Sequence, residues 1–162
     1  MLPSGDRHPA LEEYCECIFE LQEDDVDVIQ ARIAERLQVT RPSVSAMVRR
    51  LRDEGLVHEG DTIRLTASGL ELATQVVRRH RLAERFLTDI LGLSWADAHH
   101  EAGKWEHGIS DAVETAMVQL LGEPTTCPHG NPIPGSGYEA PITLVLGDVA
   151  VGDEFTVTRI PE

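Results

Sequence analysis

Aromatic residues, cysteines and long hydrophobic runs are all scarce in this chain of 162 residues. Aromatic side chains make up only 4% of the sequence, so we expect a core of aliphatic side chains and alanine, as is usual in helical proteins. Three cysteines are too few for a disulfide scaffold and favour a protein of the reducing cytoplasm. No apolar run approaches the roughly 20 residues that span a bilayer. The first residues also lack the basic segment followed by an apolar segment that is typical of a signal peptide. We therefore expect neither a membrane protein nor a secreted cystine-rich domain.

Positive charge is also scarce, but most of it lies in one segment. The chain has 14 lysine and arginine residues against 28 aspartate and glutamate residues, a formal net charge of −14. Residues 32–85 hold 11 of the basic residues and 7 of the acidic ones, so this segment carries +4 and the remainder −18. Every basic residue in it is arginine, which is well suited to phosphate and base-edge contacts. This distribution excludes a generally basic nucleic-acid coat and indicates one anion-binding face, with an ordinary solvated face as the alternative on charge alone.

Apolar residues at helical spacing and residues that cap helices predict a mainly helical chain. The predicted helices run over residues 11–21, 29–37, 40–55, 66–91, 94–107 and 110–122, and residues 57–65 have the pattern of a hairpin. Residues 123–141 are rich in proline and glycine, which predicts a linker. Residues 142–146 and 154–160 have apolar patterns typical of strands, but about 20 residues cannot bury a sheet of their own. We therefore expect a C-terminal β domain of which the sequence holds only the beginning.

Residues 33–51 have the pattern of a helix-turn-helix motif, and the hairpin that follows predicts its wing. A short helix, a three-residue turn and a second helix that begins with small hydroxyl residues is the arrangement that places the second helix in the major groove of DNA. The residues expected to reach base edges or nearby phosphates from that helix are Thr40, Arg41, Pro42, Ser43, Ser45 and Ala46. The residues expected to meet phosphates are Arg32, Arg49, Arg50 and Arg52, with Arg64 from the wing. A helical hairpin without a role in DNA binding is the alternative.

Histidine and carboxylate residues recur at helical spacing on two successive predicted helices. His80 and Glu84 are four residues apart on one helix, so both lie on the same face. On the next helix, one face carries His99, Gly103, Glu106 and His107. A lone histidine is more often structural than a ligand, but imidazole together with carboxylate is the ligand set of first-row divalent metals. The joint pattern predicts a metal site, and the Cys127-Pro128-His129 turn is a weaker candidate for a further one.

Cys15 and Cys17 do not belong to this pattern. Because they are two residues apart on a helix, they point about 200° from each other and cannot bind one metal ion while that helix is regular. We interpret them as buried free thiols. The sequence also lacks a nucleophile paired with a base, a phosphate loop and a dinucleotide fingerprint, so we do not expect an enzyme.

Four stretches of the sequence resemble the diphtheria-toxin-repressor family of metal-activated repressors. They are residues 32–37 (RIAERL), 79–85 (RHRLAER), 105–107 (WEH) and 130–135 (GNPIPG), within a resemblance that covers residues 8–162. The resemblance implies a winged helix-turn-helix DNA-binding domain at residues 1–66 and a helical dimerisation and metal-binding domain at residues 67–122. It further implies that the linker of residues 123–141 leads into the beginning of an SH3-like β domain at residues 142–162.

The resemblance also implies two metal sites in each chain. By position, the ancillary site of the family maps to His80, Glu84 and His99. The activating site maps to one position on the first helix and one on the fifth, together with Glu106 and His107. The position on the fifth helix holds Gly103, where iron regulators have cysteine and manganese regulators have glutamate. His100 or the pair of Cys127 and His129 could compensate for the missing side chain.

The position on the first helix favours manganese. It holds Glu13, where the iron regulators have methionine, and Glu13 with Glu16 resembles the carboxylate pair of the manganese regulators. Replacing a soft thioether by oxygen shifts preference towards a harder ion, so the resemblance implies Mn²⁺ more strongly than Fe²⁺. Some manganese regulators also resemble this chain in placing a Cys-x-His sequence, here Cys127 and His129, beside the counterpart of Glu84.

The implied function is that of a cytoplasmic homodimer that binds double-stranded operator DNA and represses genes of metal homeostasis. Two divalent metal ions in each chain, either Mn²⁺ or Fe²⁺, would order the DNA-binding helices. The alternative is a metal-independent winged-helix regulator that senses another ligand, and DNA binding that is insensitive to a chelator would favour it.

Overall fold

The computed structural model describes residues 8–161, which form six α-helices and one short 3-10 helix. The helices are α1 (Pro9–Glu23), α2 (Gln30–Arg36), α3 (Arg41–Asp53), α4 (Ala67–Asp89), α5 (Trp95–Trp105) and α6 (Asp111–Leu120), and the 3-10 helix is Leu146–Asp148. The prediction of a mainly helical chain is confirmed. Within the described range, no helix has both the length and the apolar character needed to cross a membrane. Residues 1–7 and 162, at the ends of the first and last predicted domains, lie outside the described residues.

Four hydroxyl side chains determine where helices begin. At α3, α4, α5 and α6, the side-chain oxygen of the N-cap residue accepts a hydrogen bond from the backbone amide three residues later, which satisfies a donor that has no partner within the helix. These N-cap residues are Thr40, Thr66, Ser94 and Ser110. Short polar side chains compete with the backbone inside a helix but stabilise its first turn, so these helix starts were predictable from the sequence.

The first three helices pack around the first of two hydrophobic cores. Ile33, Val44 and Leu51 are fully buried there and bring α1, α2 and α3 together. After α3, an antiparallel bridge between Val57 and Leu65 closes the predicted hairpin. Together these elements form a helix-turn-helix with a short wing, and they leave the outer face of α3 exposed to solvent.

Cys15 and Cys17 lie in this core as free, buried cysteines, as predicted. Burial raises the pKa of each thiol to about 12. Both side chains are therefore protonated packing residues at neutral pH.

α4 connects the winged helix to the second core. It packs against α1 on one side and against α5 and α6 on the other. The buried residues of the second core are Ala83, Leu87, Ala98, Ala102, Ile109 and Met117, and partly buried side chains that include Phe86 and Trp105 pack against them. Because alanine keeps helix axes close, α5 approaches α4 closely, and side chains from both α1 and α5 reach the middle of α4.

The strands predicted for residues 142–146 and 154–160 are not formed. Among residues 142–161, the backbone has no regular secondary structure apart from turns and the 3-10 helix, and most apolar side chains are exposed. A strand needs a neighbour to pair its amides and carbonyls, and even a pair of isolated strands is marginally stable. The strand prediction is therefore wrong for the described residues, because these segments have no paired strand there.

The end of this segment is attached to the helical part of the molecule. The Ile160 amide donates to the His129 carbonyl at 2.9 Å, and Nδ2 of Asn131 donates to the Ile160 carbonyl at 3.0 Å. Nη2 of Arg159 donates to Oδ1 of Asp24, just after α1, at 2.7 Å. These contacts hold the turn of residues 127–131, which carries two predicted site residues, close to the helices.

Gly69, in the first turn of α4, lets this helix start against the backbone of Leu56. A Cβ atom on Gly69 would lie 2.0 Å from the Leu56 carbonyl oxygen. Because that atom belongs to the backbone, we expect Gly69→Ala to lower the free energy of unfolding by about 3 kcal/mol. Urea unfolding measures the change, and Ser68→Ala at the exposed preceding position is the control. An unchanged midpoint for Gly69→Ala would contradict the close approach of the two segments.

Candidate metal centre and DNA interface

The outer face of α3 carries most of the residues predicted to contact DNA. Exposed residues on this face and at its start are Thr40, Arg41, Pro42, Ser43 and Ala46, while Ser45 is half-buried. The hydroxyl of Thr40 caps the helix and lies 2.8 Å from the hydroxyl of Ser43, so these two side chains are partly engaged with each other. The surface open to a groove is therefore the first half of α3, with Arg41 as its long side chain.

Four further arginines predicted to contact phosphates are exposed around this face. They come from α2, from the second half of α3 and from the wing, and are Arg32, Arg49, Arg50 and Arg64. None of them forms an ion pair with another described residue, so each guanidinium is free to bind an anion. Unpaired arginines beside an exposed helix face are the electrostatic pattern of a DNA-binding domain.

Arg52, for which a phosphate contact is predicted, also makes contacts within the protein. Its Nη2 donates to the Gly60 carbonyl at 2.6 Å, and its Nε donates to the His58 carbonyl at 3.2 Å. Arg52 therefore ties α3 to the wing and sets the position of the wing beside the helix. The sequence shows only a basic residue on α3, because the carbonyls within its reach depend on how the hairpin folds back.

Five predicted metal ligands meet around the middle of α4. Oε1 of the fully buried Glu84 lies 2.9 Å from Nδ1 of His99 and 3.6 Å from Nδ1 of His129. Nε2 of His80 lies 3.1 Å from Nδ1 of His99, and Sγ of Cys127 lies 4.0 Å from Nδ1 of His129. His80, Glu84 and His99 offer ligand atoms within 4.8 Å of one another, and so do Glu84, Cys127 and His129. We call these five residues the histidine–cysteine cluster.

A second group of acidic and imidazole side chains lies on the other side of His80. Nδ1 of His80 is 2.5 Å from Oε2 of Glu106 and 3.7 Å from Oε1 of Glu16, and these three residues also offer ligand atoms within 4.8 Å of one another. Nε2 of His107 is 3.2 Å from Oε1 of Glu106, and its Nδ1 is 2.6 Å from Oε2 of Glu12. We call Glu12, Glu16, Glu106 and His107 the carboxylate cluster, and His80 of the histidine–cysteine cluster contacts two of its members.

Burial and mutual hydrogen bonding set the charges of these groups. Burial raises the pKa of Glu16 well above its ordinary value, although the charge of His80 lowers it. Burial opposes the charged form of His80, but hydrogen bonds to Glu106 and Glu84 raise its pKa well above the ordinary value. The hydrogen bond to a carboxylate likewise raises the pKa of His107. Protons shared among these groups neutralise part of their negative charge. A bound metal cation can neutralise the same charge in place of the protons.

Within residues 8–161, two buried carboxylate oxygens have no hydrogen-bond partner, namely Oε1 of Glu16 and Oε2 of Glu84. One of them belongs to each cluster. An unpaired buried carboxylate oxygen is costly, and a cation that completes the site removes this cost. Imidazole and carboxylate donors suit first-row divalent ions, and Cys127 adds a softer donor to the histidine–cysteine cluster. The residues present therefore fit a divalent metal at both clusters.

A cleft of about 340 Å³ opens beside the carboxylate cluster. Glu13 and Gly103 line its wall, but Glu13 is exposed and lies outside the three close groups of ligand atoms. A Cβ atom on Gly103 would meet no atom within 4 Å, so this position is open to a side chain. His100, the other residue that could compensate for the missing side chain at position 103, is exposed.

Glu12 was not among the predicted site residues, although it is only 4% exposed and contacts His107. Glu12 precedes Glu16 by four residues and Glu13 precedes it by three, so helical spacing permits either residue to share its face. His107 lies just after α5, where its imidazole contacts Glu12, and this contact determines that Glu12 is the buried residue of the two. That position depends on tertiary packing, which the local pattern does not contain.

Two family descriptions match the sequence. "Iron dependent repressor, N-terminal DNA binding domain" matches residues 8–61, which include α1 to α3. "Iron dependent repressor, metal binding and dimerisation domain" matches residues 66–135, which include α4 to α6 and the turn of residues 127–131. The predicted combination of a DNA-binding domain with a dimerisation domain is thereby confirmed.

Proteins similar to this chain are named as repressors. The diphtheria toxin repressor of Corynebacterium jeikeium is 51% identical over 126 residues, covering 76% of this chain and 52% of that protein. The iron-dependent repressor IdeR of Mycobacterium tuberculosis is 43% identical over 153 residues, covering 93% of this chain and 64% of that protein. A solved manganese-dependent transcriptional repressor in complex with manganese is 38% identical with a TM-score of 0.74, covering 82% of this chain and 62% of that chain. The chain thus spans about half to two thirds of the length of these relatives.

Proposed function

Because this chain belongs to the diphtheria-toxin-repressor family of iron-dependent repressors, we propose that it is a transcriptional repressor activated by a divalent metal. The named relatives are repressors rather than enzymes. We propose further that it acts in the cytoplasm as a homodimer on double-stranded operator DNA of metal-homeostasis genes. The family description that names dimerisation supports the homodimer, and the unpaired arginines of the winged helix support DNA as the ligand.

The carboxylate cluster carries this proposal, because it joins the DNA-binding half of the chain to the dimerisation half. Glu16 comes from α1, within the DNA-binding match, whereas His80 and Glu106 belong to the dimerisation match. Ligand atoms of these three residues lie within 4.8 Å of one another. A ligand that all three side chains share therefore holds α1 against α4 and α5.

We propose two divalent cations in each chain, one at each cluster. The carboxylate cluster would hold its ion through Glu16, Glu106 and His107, with Glu13 on the cleft wall as a further ligand. The histidine–cysteine cluster would hold the other through His80, Glu84, His99, Cys127 and His129. When bound, each ion supplies two positive charges and one point that ligands from different helices share. Oxygen and imidazole donors without a thioether at the carboxylate cluster favour Mn²⁺ over Fe²⁺.

The charges of the chain explain why DNA binding would depend on this ligation. Glu16 and Glu106 both approach Nδ1 of His80, and unneutralised carboxylates at such separations repel each other. Repulsion across the cluster loosens α1 from α4 and α5, so the angle between the winged helix and the dimerisation half is no longer fixed. In a dimer that angle sets the separation of the two α3 helices, which must be about 34 Å to enter successive major grooves. Neutralising the cluster also removes negative charge that opposes DNA.

We propose the division of the chain that the family resemblance implies. The interval between the two family matches, at residues 62–65, supports a boundary after the winged helix. Residues 67–122 would be the dimerisation domain and residues 123–141 the linker. An SH3-like domain that begins at residue 142 is supported by exposed apolar side chains, which include Ile142, Val151 and Phe155. Side chains of this kind are usually buried in a β domain.

Thermodynamic linkage tests metal activation. If bound metal strengthens DNA binding, bound DNA strengthens metal binding by the same factor, on the order of 5- to 150-fold for typical coupling. We expect the apparent Kd for Mn²⁺, measured by competition with a fluorescent chelator, to fall by such a factor when the chain is saturated with a duplex selected from a random pool. The same titration with Fe²⁺ under anaerobic conditions identifies the preferred ion. An identical Kd for metal with and without the duplex would contradict the proposal.

A side chain at position 103 tests the composition of the carboxylate site. A Cβ atom there meets no neighbour, so Gly103→Glu adds a carboxylate to the cleft without a clash. We expect the affinity for Mn²⁺ to rise about tenfold or more, which is the value of one charge-assisted contact. Gly103→Ala is the matched control, because it gains about 1 kcal/mol of helix stability but no donor atom. If calorimetric titration gave all three proteins the same affinity for Mn²⁺, the cleft wall would not belong to a metal site.

A further inference from the structure

The contact between Glu12 and His107 is left without a role by the two proposed metal sites. Glu12 is only 4% exposed, and a buried carboxylate is costly unless it is paired. Its Oε2 lies 2.6 Å from Nδ1 of His107. The contact joins α1 to the residues just after α5, which meet only in the folded chain.

The geometry gives the two nitrogens of His107 different neighbours. Nδ1 faces Glu12, whereas Nε2 lies 3.2 Å from Oε1 of Glu106, within the carboxylate cluster. The contact at Nδ1 is the shorter of the two, so when a metal replaces the proton at Nε2, the carboxylate of Glu12 keeps the remaining proton on Nδ1. At metal centres generally, a carboxylate behind a ligating imidazole fixes its tautomer, orients its ring and raises its basicity.

We propose that Glu12 is a positioning residue that holds His107 in the Nδ1-protonated tautomer, with Nε2 available to the metal of the carboxylate cluster. This inference rests on the proposed function and adds a residue to its site. It also gives two adjacent carboxylates on α1 separate roles. Glu13 is exposed on the cleft wall, whereas Glu12 is buried behind the imidazole.

The location of Glu12 on α1 makes the orientation of His107 depend on how the two halves of the chain are docked. Glu12 belongs to the DNA-binding match and His107 to the dimerisation match. When α1 is docked, the imidazole is oriented before any metal binds. When α1 moves away, the acceptor for Nδ1 moves with it, whereas the carboxylate of Glu106 stays beside Nε2 and favours a proton on that nitrogen.

Two substitutions separate a positioning role from a packing role, with Cd²⁺ as the probe because it is diamagnetic. Glu12→Gln retains an oxygen that accepts from Nδ1, whereas Glu12→Leu has a similar size and no acceptor. We expect Glu12→Leu to lower the affinity of the carboxylate cluster for Cd²⁺ about 10- to 100-fold, and Glu12→Gln to recover most of that loss. Glu71→Gln, at an exposed position on α4, controls for the removal of one negative charge. Wild-type Cd²⁺ affinity in Glu12→Leu would overturn the inference.

Nitrogen-15 NMR of the histidine rings provides a readout that a packing change does not move. In the Cd²⁺-loaded wild type, we expect a proton on Nδ1 of His107 and Cd²⁺ on Nε2, with the signals assigned by their absence in His107→Gln. Glu12→Leu should lose this single tautomer pattern, and Glu12→Gln should keep it. Coordination through Nδ1 in the wild type would overturn the inference and leave the proposed function intact. A wild-type chain that binds no Cd²⁺ would overturn both.

Discussion

Glu106→Gln should abolish metal-dependent DNA binding. The substitution keeps the size of the side chain but removes the charge of a residue that is 3% exposed and contacts both His80 and His107. The carboxylate cluster then loses a central ligand, and α1 is no longer held against α5. In excess Mn²⁺ we expect the affinity for a selected duplex to fall on the order of 100-fold, to the value that the wild type shows in chelator. Fluorescence anisotropy of the labelled duplex measures both affinities.

Glu101→Gln is the matched control for this substitution, since it also removes one negative charge, from α5 five residues before Glu106. Glu101 pairs with Lys104 at 2.6 Å on a partly exposed surface, and such a pair contributes little to stability. Its DNA binding in Mn²⁺ should therefore equal that of the wild type. Circular dichroism and sedimentation should show an unchanged helix content and mass for Glu106→Gln. If Glu106→Gln kept the wild-type response to metal, Glu106 would have no place in the metal site.

Arg41→Ala should weaken DNA binding in the presence of metal and leave metal binding unchanged. Arg41 is the first residue of α3, is exposed, and forms no ion pair with another described residue. The loss of a contact to a base edge costs about 1–3 kcal/mol, on the order of 10- to 100-fold in Kd. Anisotropy titrations at several salt concentrations distinguish the contact made, because loss of a phosphate contact lowers the salt slope by about 1.

Lys104→Ala is the matched control for Arg41→Ala, because it also removes one positive charge but from α5, which lies outside the winged helix. This variant should bind the duplex with the affinity of the wild type. The Mn²⁺ affinity of Arg41→Ala without DNA should also equal that of the wild type, because no residue of α3 belongs to either cluster. Equal DNA affinities for Arg41→Ala and the wild type at every salt concentration would be incompatible with α3 in the groove.

Features that depend on neighbouring residues along the chain were predictable from the sequence. Thr40 and Thr66 mark helix starts, because a hydroxyl that caps a helix acts within three residues. The spacing of four residues predicts that His80 and Glu84 share a helix face, and Nε2 of His80 lies 3.6 Å from Oε1 of Glu84. The helix-turn-helix is predictable for the same reason, because its two helices and the turn between them are neighbours within residues 33–51.

Features that depend on contacts between distant segments were not predictable. The choice of Glu12 over Glu13 as the buried carboxylate follows from the position of His107, 95 residues later in the chain. The role of Arg52 follows from the path of the wing, which brings two carbonyls to its guanidinium. The strand patterns of residues 142–146 and 154–160 describe extended backbone, but a strand also needs a partner, and within the described residues none pairs with them.

The affinity of the wild-type chain for one duplex, with and without metal, is the most direct test of metal activation. The labelled duplex is titrated with the chain in excess Mn²⁺, in Fe²⁺ under anaerobic conditions and in excess chelator. Metal activation predicts tight binding with metal, with Mn²⁺ effective at the lower free concentration, and a loss on the order of 100-fold in chelator. Equal affinity in all three conditions would leave the winged helix as a DNA-binding motif but would contradict metal activation, because the two clusters would then be structural.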